Sequence, residues 1–299
     1  MKIGFANIYS FRPHVQHLVY LSKLLESEGN KVFFLTCDAS VDNCYVRTLK
    51  DTSKINECTK CILGGVRSFS VSNITSISKK VNETLLSDDE LYEMTLSSSC
   101  TLNRTESEEE WDDEDVVKIR NSLYTSVQKT YSLALDWIKQ NKLEAVICFN
   151  GRMELTRAVS SACERLGIPY ITHERTWFGD GIQLIPNGNC LSLNALNDMV
   201  NQFDDKYLTL EQAEFSGRLI ALRFLQQNTL EWRVYNKDPK KATWPIPTKG
   251  KRVLILPSSR NEFSGHQEWS TNWRDNTSAL DDLFEAFNIS PDQVVVRFH

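Results

Sequence analysis

The first 37 residues constrain the fold more than any other stretch. KIGFANI is a short apolar run. HVQHLVYLSKLLESEG repeats apolar residues at helical spacing, and KVFFLTC is apolar again. Val15, Leu18, Val19, Leu21, Leu24 and Leu25 fall on or near one helix face, and Gly29 closes the helix. Strand, helix and strand in so few residues predict a βαβ unit, with parallel strands and a right-handed crossover.

The pattern returns further on. In VVKIRNSLYTSVQKTYSLALDWIKQNK, Val116, Ile119, Leu123, Val127, Tyr131, Leu135 and Ile138 recur at helical spacing. LEAVICF then reads as a strand buried on both faces. RMELTRAVSSACERLG is a helix stopped by Gly167 and Pro169, and YITHER is the next strand. Residues 38–81 are less regular, and 82–115 are polar and acidic. Eight of the ten side chains at 106–115 are carboxylates. They read either as an acidic recognition surface or as a solvated loop entering a helix N-terminus.

From about 190 to 236 the pattern is helical. NKDPKKATWPIPTKGK, with three prolines and five lysines, reads as a linker. A second α/β pattern follows: strand RVLILPSS, helix WRDNTSALDDLFEAFN and strand QVVVRFH. A lone βαβ unit cannot bury both faces of its sheet, so the chain is expected to stop inside a second domain. The expected fold is α/β. A Rossmann-like parallel sheet spans 1–189, with a cysteine-bearing insertion at 37–115. A helical segment and linker occupy 190–248, and a second Rossmann-like domain starts at 249–299.

A net charge of −5 disfavours general nucleic-acid binding. No apolar run approaches the roughly 20 residues of a membrane span, which leaves peripheral membrane association open. The N-terminus lacks a signal-peptide layout, and eight irregularly spaced cysteines suit a reducing compartment. A cytoplasmic location is therefore expected. G-x-G-x-x-G, the Walker P-loop, G-x-S-x-G and H-E-x-x-H are all absent.

Candidate sites cluster after predicted strands, where doubly wound sheets bind ligands. Arg12, His14 and His17 follow the first strand, and Arg12 could meet an anion. Asn150, Gly151 and Arg152 follow LEAVICF. Gly151 permits a positive φ, and the helix N-terminus behind it could receive an anion or a hydroxyl. A tight turn explains the same residues. His173, Glu174 and Arg175 end YITHER, with Trp177, Phe178, Gly179 and Asp180 beyond, and a carboxylate there can serve as general base. The alternative is an ion-pair cluster. Ser258, Ser259, Arg260, Asn261, Glu262 and His266 share one loop after RVLILP, and Arg297 and His299 end the last strand. Cys37, Cys44, Cys58 and Cys61 could hold a structural zinc ion at about 2.3 Å per bond, or be ordinary loop and core thiols. Cys100, Cys148, Cys163 and Cys190 read as small core residues.

FNGRMELTRAVSSACERLGIPYITHER and VLILPSSRNEFSGHQEW…VVVRFH together resemble GT-B-fold glycosyltransferases of bacterial surface polysaccharides. The nearest look is the capsule and lipopolysaccharide type that includes Kdo transferases. The cysteine-bearing stretch CDASVDNCYVRTLKDTSKINECTKC looks like insertions seen in some of these enzymes. The resemblance covers most of the chain, but its motifs are only moderately specific. It implies a glycan acceptor on the N-terminal domain and a nucleotide-activated sugar on the C-terminal one. Asn150, Arg152 and Glu174 would then line the acceptor side. Arg260, Glu262 and His299 would approach the donor phosphates or the reacting carbon. Glu174 is the preferred base and Glu262 the second. Two alternatives stay open: a non-catalytic glycan- or partner-binding half-enzyme, and a nucleotide-sugar epimerase.

Overall fold

The computed structural model describes residues 1–77, 85–176, 181–225 and 242–297. Its centre is a six-stranded, mostly parallel sheet of Rossmann-like α/β type. The strands are β1 (Lys2–Asn7), β2 (Lys31–Thr36), β3 (Ile74–Ser76), β4 (Ala145–Phe149), β5 (Tyr170–Arg175) and β6 (Ile182–Pro186), in the order β3-β2-β1-β4-β5-β6. β1 runs parallel to both β2 and β4, with Phe5 opposite Phe34 and Ile147. β6 lies antiparallel on β5. The chain therefore winds outward in both directions from β1 and β4. The crevice beyond their C-terminal ends is the topological switch point.

Side-chain alternation builds two cores. Ile3, Phe5, Val32, Phe34 and Ile147 point to one face and meet Val15, Leu18 and Leu21 of α1 (His14–Ser27). Ala6, Phe33, Leu35, Val146 and Cys148 point to the other. There they meet α5 (Glu114–Asn141) and α6 (Glu154–Leu166) through Val127, Tyr131, Leu135, Leu155 and Val159. Gly4 lets Trp137 lie directly on β1, since a Cβ there would sit 2.5 Å from the indole. Leu24, expected on the apolar face of α1, is 47% exposed. Cys100, Cys148 and Cys163 are fully buried, as small core residues.

Residues 38–115 hold more structure than their composition suggests. They form α2 (Tyr45–Lys50), α3 (Lys54–Gly64), β3 and α4 (Asp88–Asn103). A capping box starts α4, with Ser87 and Glu90 bonding reciprocally. Its buried face includes Thr95, Ser97, Ser98, Ser99 and Cys100, so it packs by small size and leaves little hydrophobic period. The acidic run forms a short 3-10 turn at Glu108–Asp112 before α5. It is not merely solvated: Glu106 accepts from the Arg260 N–H and the Asn261 amide at 3.0 and 2.9 Å.

Two further helices follow, α7 (Leu193–Asn201) and α8 (Leu210–Phe224). Residues 242–251 hold no helix or strand. The second α/β pattern is a small parallel unit: β7 (Val253–Ile255), α9 (Asn276–Phe287) and β8 (Val294–Val296). Its 260–269 loop rests against α4, Glu106, Arg152 and residues 189–194. No described helix is long and apolar enough to cross a membrane.

Candidate functional site

The segment after β4 makes two consecutive left-handed residues, Asn150 at φ 64° and Gly151 at φ 73°. A Cβ on Gly151 would lie 2.5 Å from the Thr172 methyl, so both backbone angle and space require glycine. The backbone donors of this turn are already used. Asn150 N–H donates to the His173 carbonyl, Gly151 N–H to the Phe149 carbonyl, and Arg152 N–H to Asn150 Oδ1. At the start of α6, Glu154 N–H donates to Ser98 Oγ and Leu155 N–H to the Tyr9 hydroxyl. The expected cradle for an anion is therefore filled by the protein's own acceptors.

Glu154 explains that filling. Its carboxylate is fully buried. It accepts from the Tyr9 hydroxyl at 2.8 Å, the Tyr45 N–H at 2.7 Å and the Ser98 hydroxyl at 2.6 Å. Burial pushes its pKa up, against those donors. This residue joins the loop after β1, α2, α4 and α6, and sequence reasoning missed it. A lone glutamate in the first turn of an amphipathic helix gives no signal beyond the helix dipole.

Glu174 sits at the end of β5. The Asn150 amide donates to its Oε1 at 2.8 Å, and the Arg175 N–H to Oε2 at 3.3 Å. Burial raises its pKa, partly offset by the Asn150 bond and by Arg152. Asn150 also donates to Cys190 Sγ at 3.0 Å. Glu174 Oε2 lies 3.7 Å from His14 Nε2. His14, His17 and His173 form a near-equilateral triangle, with ring centroids 5.6, 5.9 and 5.8 Å apart. Phe149 packs on His14 at 4.2 Å. Burial lowers all three imidazole pKa values, to about 4 for His14 and about 3 for His173. Neighbouring histidines add to the effect on His14 and His173, and Arg175 on His14 and His17. These rings are neutral near pH 7.

The other expected residues divide. Arg12 is exposed, over the Phe69 ring and bonded to the Gly64 carbonyl at 3.3 Å. Arg152 is committed: its Nη1 donates to Ser97 Oγ, Thr101 Oγ1 and the Glu262 carbonyl at 3.1, 2.9 and 2.9 Å. Arg260 donates from Nη1 to the Trp273 carbonyl, and Asn261 is buried on Glu106. Ser258 and Ser259 line a shallow surface pocket with Asp275 and Glu110. Arg297 donates its backbone N–H to the Ile255 carbonyl. His299, and Trp177 to Asp180, lie outside the described residues. His266 meets Asn189 at 3.3 Å and borders a cavity of about 240 Å³ lined by Trp111, Arg260, Phe263 and Trp269.

Cys37, Cys44, Cys58 and Cys61 all line one narrow apolar cleft beside Tyr9 and Leu155. Burial raises the Cys37 and Cys61 thiols and pushes Cys44 up to about 12. A tetrahedral zinc site needs sulfurs converged on one point. Among the described residues, the three histidines are the only group of three or more metal-ligating side chains whose ligand atoms all fall within 4.8 Å. The four thiols thus share a cleft without forming the expected tetrahedron.

No family model matches the chain, and no curated protein matches it.

Proposed function

We propose that the chain is a glycosyltransferase, or the N-terminal portion of one, that uses the switch-point crevice for a glycan acceptor and the 257–270 loop for a nucleotide-activated sugar. The supporting observation is the contact between Arg152 and the Glu262 carbonyl at 2.9 Å. It joins the polar loop after β4 to the polar loop after β7. The loops that follow β4 and β7 thus meet, as they would in a two-domain transferase that holds its substrates between its sheets.

Glu174 is the base in this reading. It lies beside the crevice, oriented by Asn150. Removing a general base typically costs about 10²–10⁴ in rate. Glu174→Gln should therefore lower turnover of a nucleotide sugar at least 100-fold while donor binding changes little. The assay follows nucleotide release from a panel of nucleotide sugars with a mixed oligosaccharide acceptor. Loss of less than a few-fold removes Glu174 from catalysis and passes the role to Glu262→Gln.

A binding module is the second reading. It is favoured by the bonding of Arg152 and Asn261 within the protein. Glycan binding without turnover or donor binding across the panel would select it.

A further inference from the structure

The three histidines do something that no step above uses. His14 and His17 stand one turn apart at the start of α1, and positions three apart share a helix face. His173 reaches the same point from β5. It is 1% exposed, yet neither ring nitrogen has a hydrogen-bond partner, and the Nδ1 atoms of His14 and His17 are also buried without one. A fully buried imidazole without partners is costly. The cost is reduced if one nitrogen of each ring gives its lone pair to a common ligand, since a neutral imidazole has one such nitrogen.

We infer that His14, His17 and His173 form a binding site for one divalent transition-metal ion of the zinc class, with Glu174 beside it. Three imidazoles suit zinc and its first-row neighbours rather than calcium or magnesium. The ligand atoms lie within 4.8 Å of one another. A tetrahedron with bonds of about 2.0 Å would bring them to roughly 3.3 Å, so binding requires the three rings to close in on the ion. Glu174 Oε2, 3.7 Å from His14 Nε2, supplies negative charge against the nearby Arg175. It either takes the fourth position or bonds a water there. Three protein ligands plus an open position is the pattern of a metal that handles substrate rather than one that only staples a loop. The ion would sit over the switch point, where it can hold a substrate oxygen. The inference does not need the transferase reading, but the two share Glu174: as a direct ligand of the ion it could not also serve as that reading's base.

The test uses the whole chain, stripped with chelator and titrated with zinc, then with cobalt. One equivalent should bind to the unaltered protein and equally to a Cys58→Ser, Cys61→Ser variant. His17→Gln, at a half-buried position, should weaken binding by at least the roughly 10–100-fold seen on losing even an outer partner of a metal ligand. The cobalt spectrum should lack the thiolate charge-transfer band, a readout that needs no variant to fold. Absence of bound ion, unchanged affinity in His17→Gln, or a thiolate band that disappears in the cysteine variant would each overturn the site. The metal is scored by binding and by the cobalt spectrum in variants that keep Glu174, so loss of turnover in Glu174→Gln does not decide the site and loss of the site does not decide the transferase reading.

Discussion

β1 and β7 each open a parallel βαβ unit, yet five of the six residues of β1 are buried and none of the three in β7 is. The helices differ in the same way. α1 buries Val15 and Leu18, whereas α9 has no buried residue and Phe287 is 69% exposed. The first unit is covered on both faces by α1, α5 and α6. The second is held by its loop, through Glu106, Arg152, Asn189 and the Glu268 carboxylate, which accepts from the Asn194 N–H at 2.8 Å. The same alternation of elements is thus stabilised by apolar burial in one place and by polar bonds at a seam in the other. Denaturants, salt and pH should therefore act on the two units differently.

The largest expected effect breaks the first unit. Glu154→Ala strands Tyr9, Tyr45 N–H and Ser98 in the interior and, at about 1–3 kcal/mol for each unsatisfied donor, should cost at least about 3 kcal/mol in chemical denaturation. Glu154→Gln keeps an acceptor for Tyr9 and Tyr45 and should cost much less. Equal losses in the two variants would show that charge, not hydrogen bonding, makes the node.

Arg152→Met sharpens the contrast at the seam. It should leave the main unfolding transition near its place, but raise amide exchange across 257–270 by about 10–100-fold, the equivalent of about 1.5–3 kcal/mol for a charged hydrogen-bond donor. A uniform rise across both units would mean that they unfold together.

The smallest effect depends on pH. His266 is neutral when seated, because burial and then Arg152 and Arg157 lower its pKa to about 4, with Glu268 opposing them. A depressed histidine stabilises the seated state above the free pKa of about 6.5. That stability falls as the pH drops from about 6.5 toward about 4. Between pH 7.5 and 5.5, opening of the 257–270 loop should increase roughly tenfold. His266→Gln should flatten this response in limited proteolysis. A profile unchanged in that variant would assign it to another group.

Both βαβ units were legible because their strands and helices carry strong apolar periods. α4 was not, since its buried face includes four small polar residues, Thr95 and Ser97 to Ser99, which leave little amphipathic signal. The site was legible as a set of loops but not as partnerships. His14, Asn150, His173 and Glu174 do meet. Arg152, Arg260 and Asn261 have the composition of ligand-binding groups but are bonded into the seam. A sequence cannot tell a donor awaiting a substrate from one satisfied by a distant carbonyl. His-x-x-His on one helix face was a usable sign of the triangle, but its third corner lies 156 residues after His17.

The Glu154 node also sets an order of assembly. Its partners precede it by 145, 109 and 56 residues. On a ribosome adding about 5–20 residues per second, Tyr9 is made roughly 7–30 seconds before the carboxylate it needs. Until then β1 can pair with β2 and pack on α1, but the Tyr9 hydroxyl lacks its acceptor. The last polar bond of the loop after β1 thus waits on where one glutamate falls in the reading order.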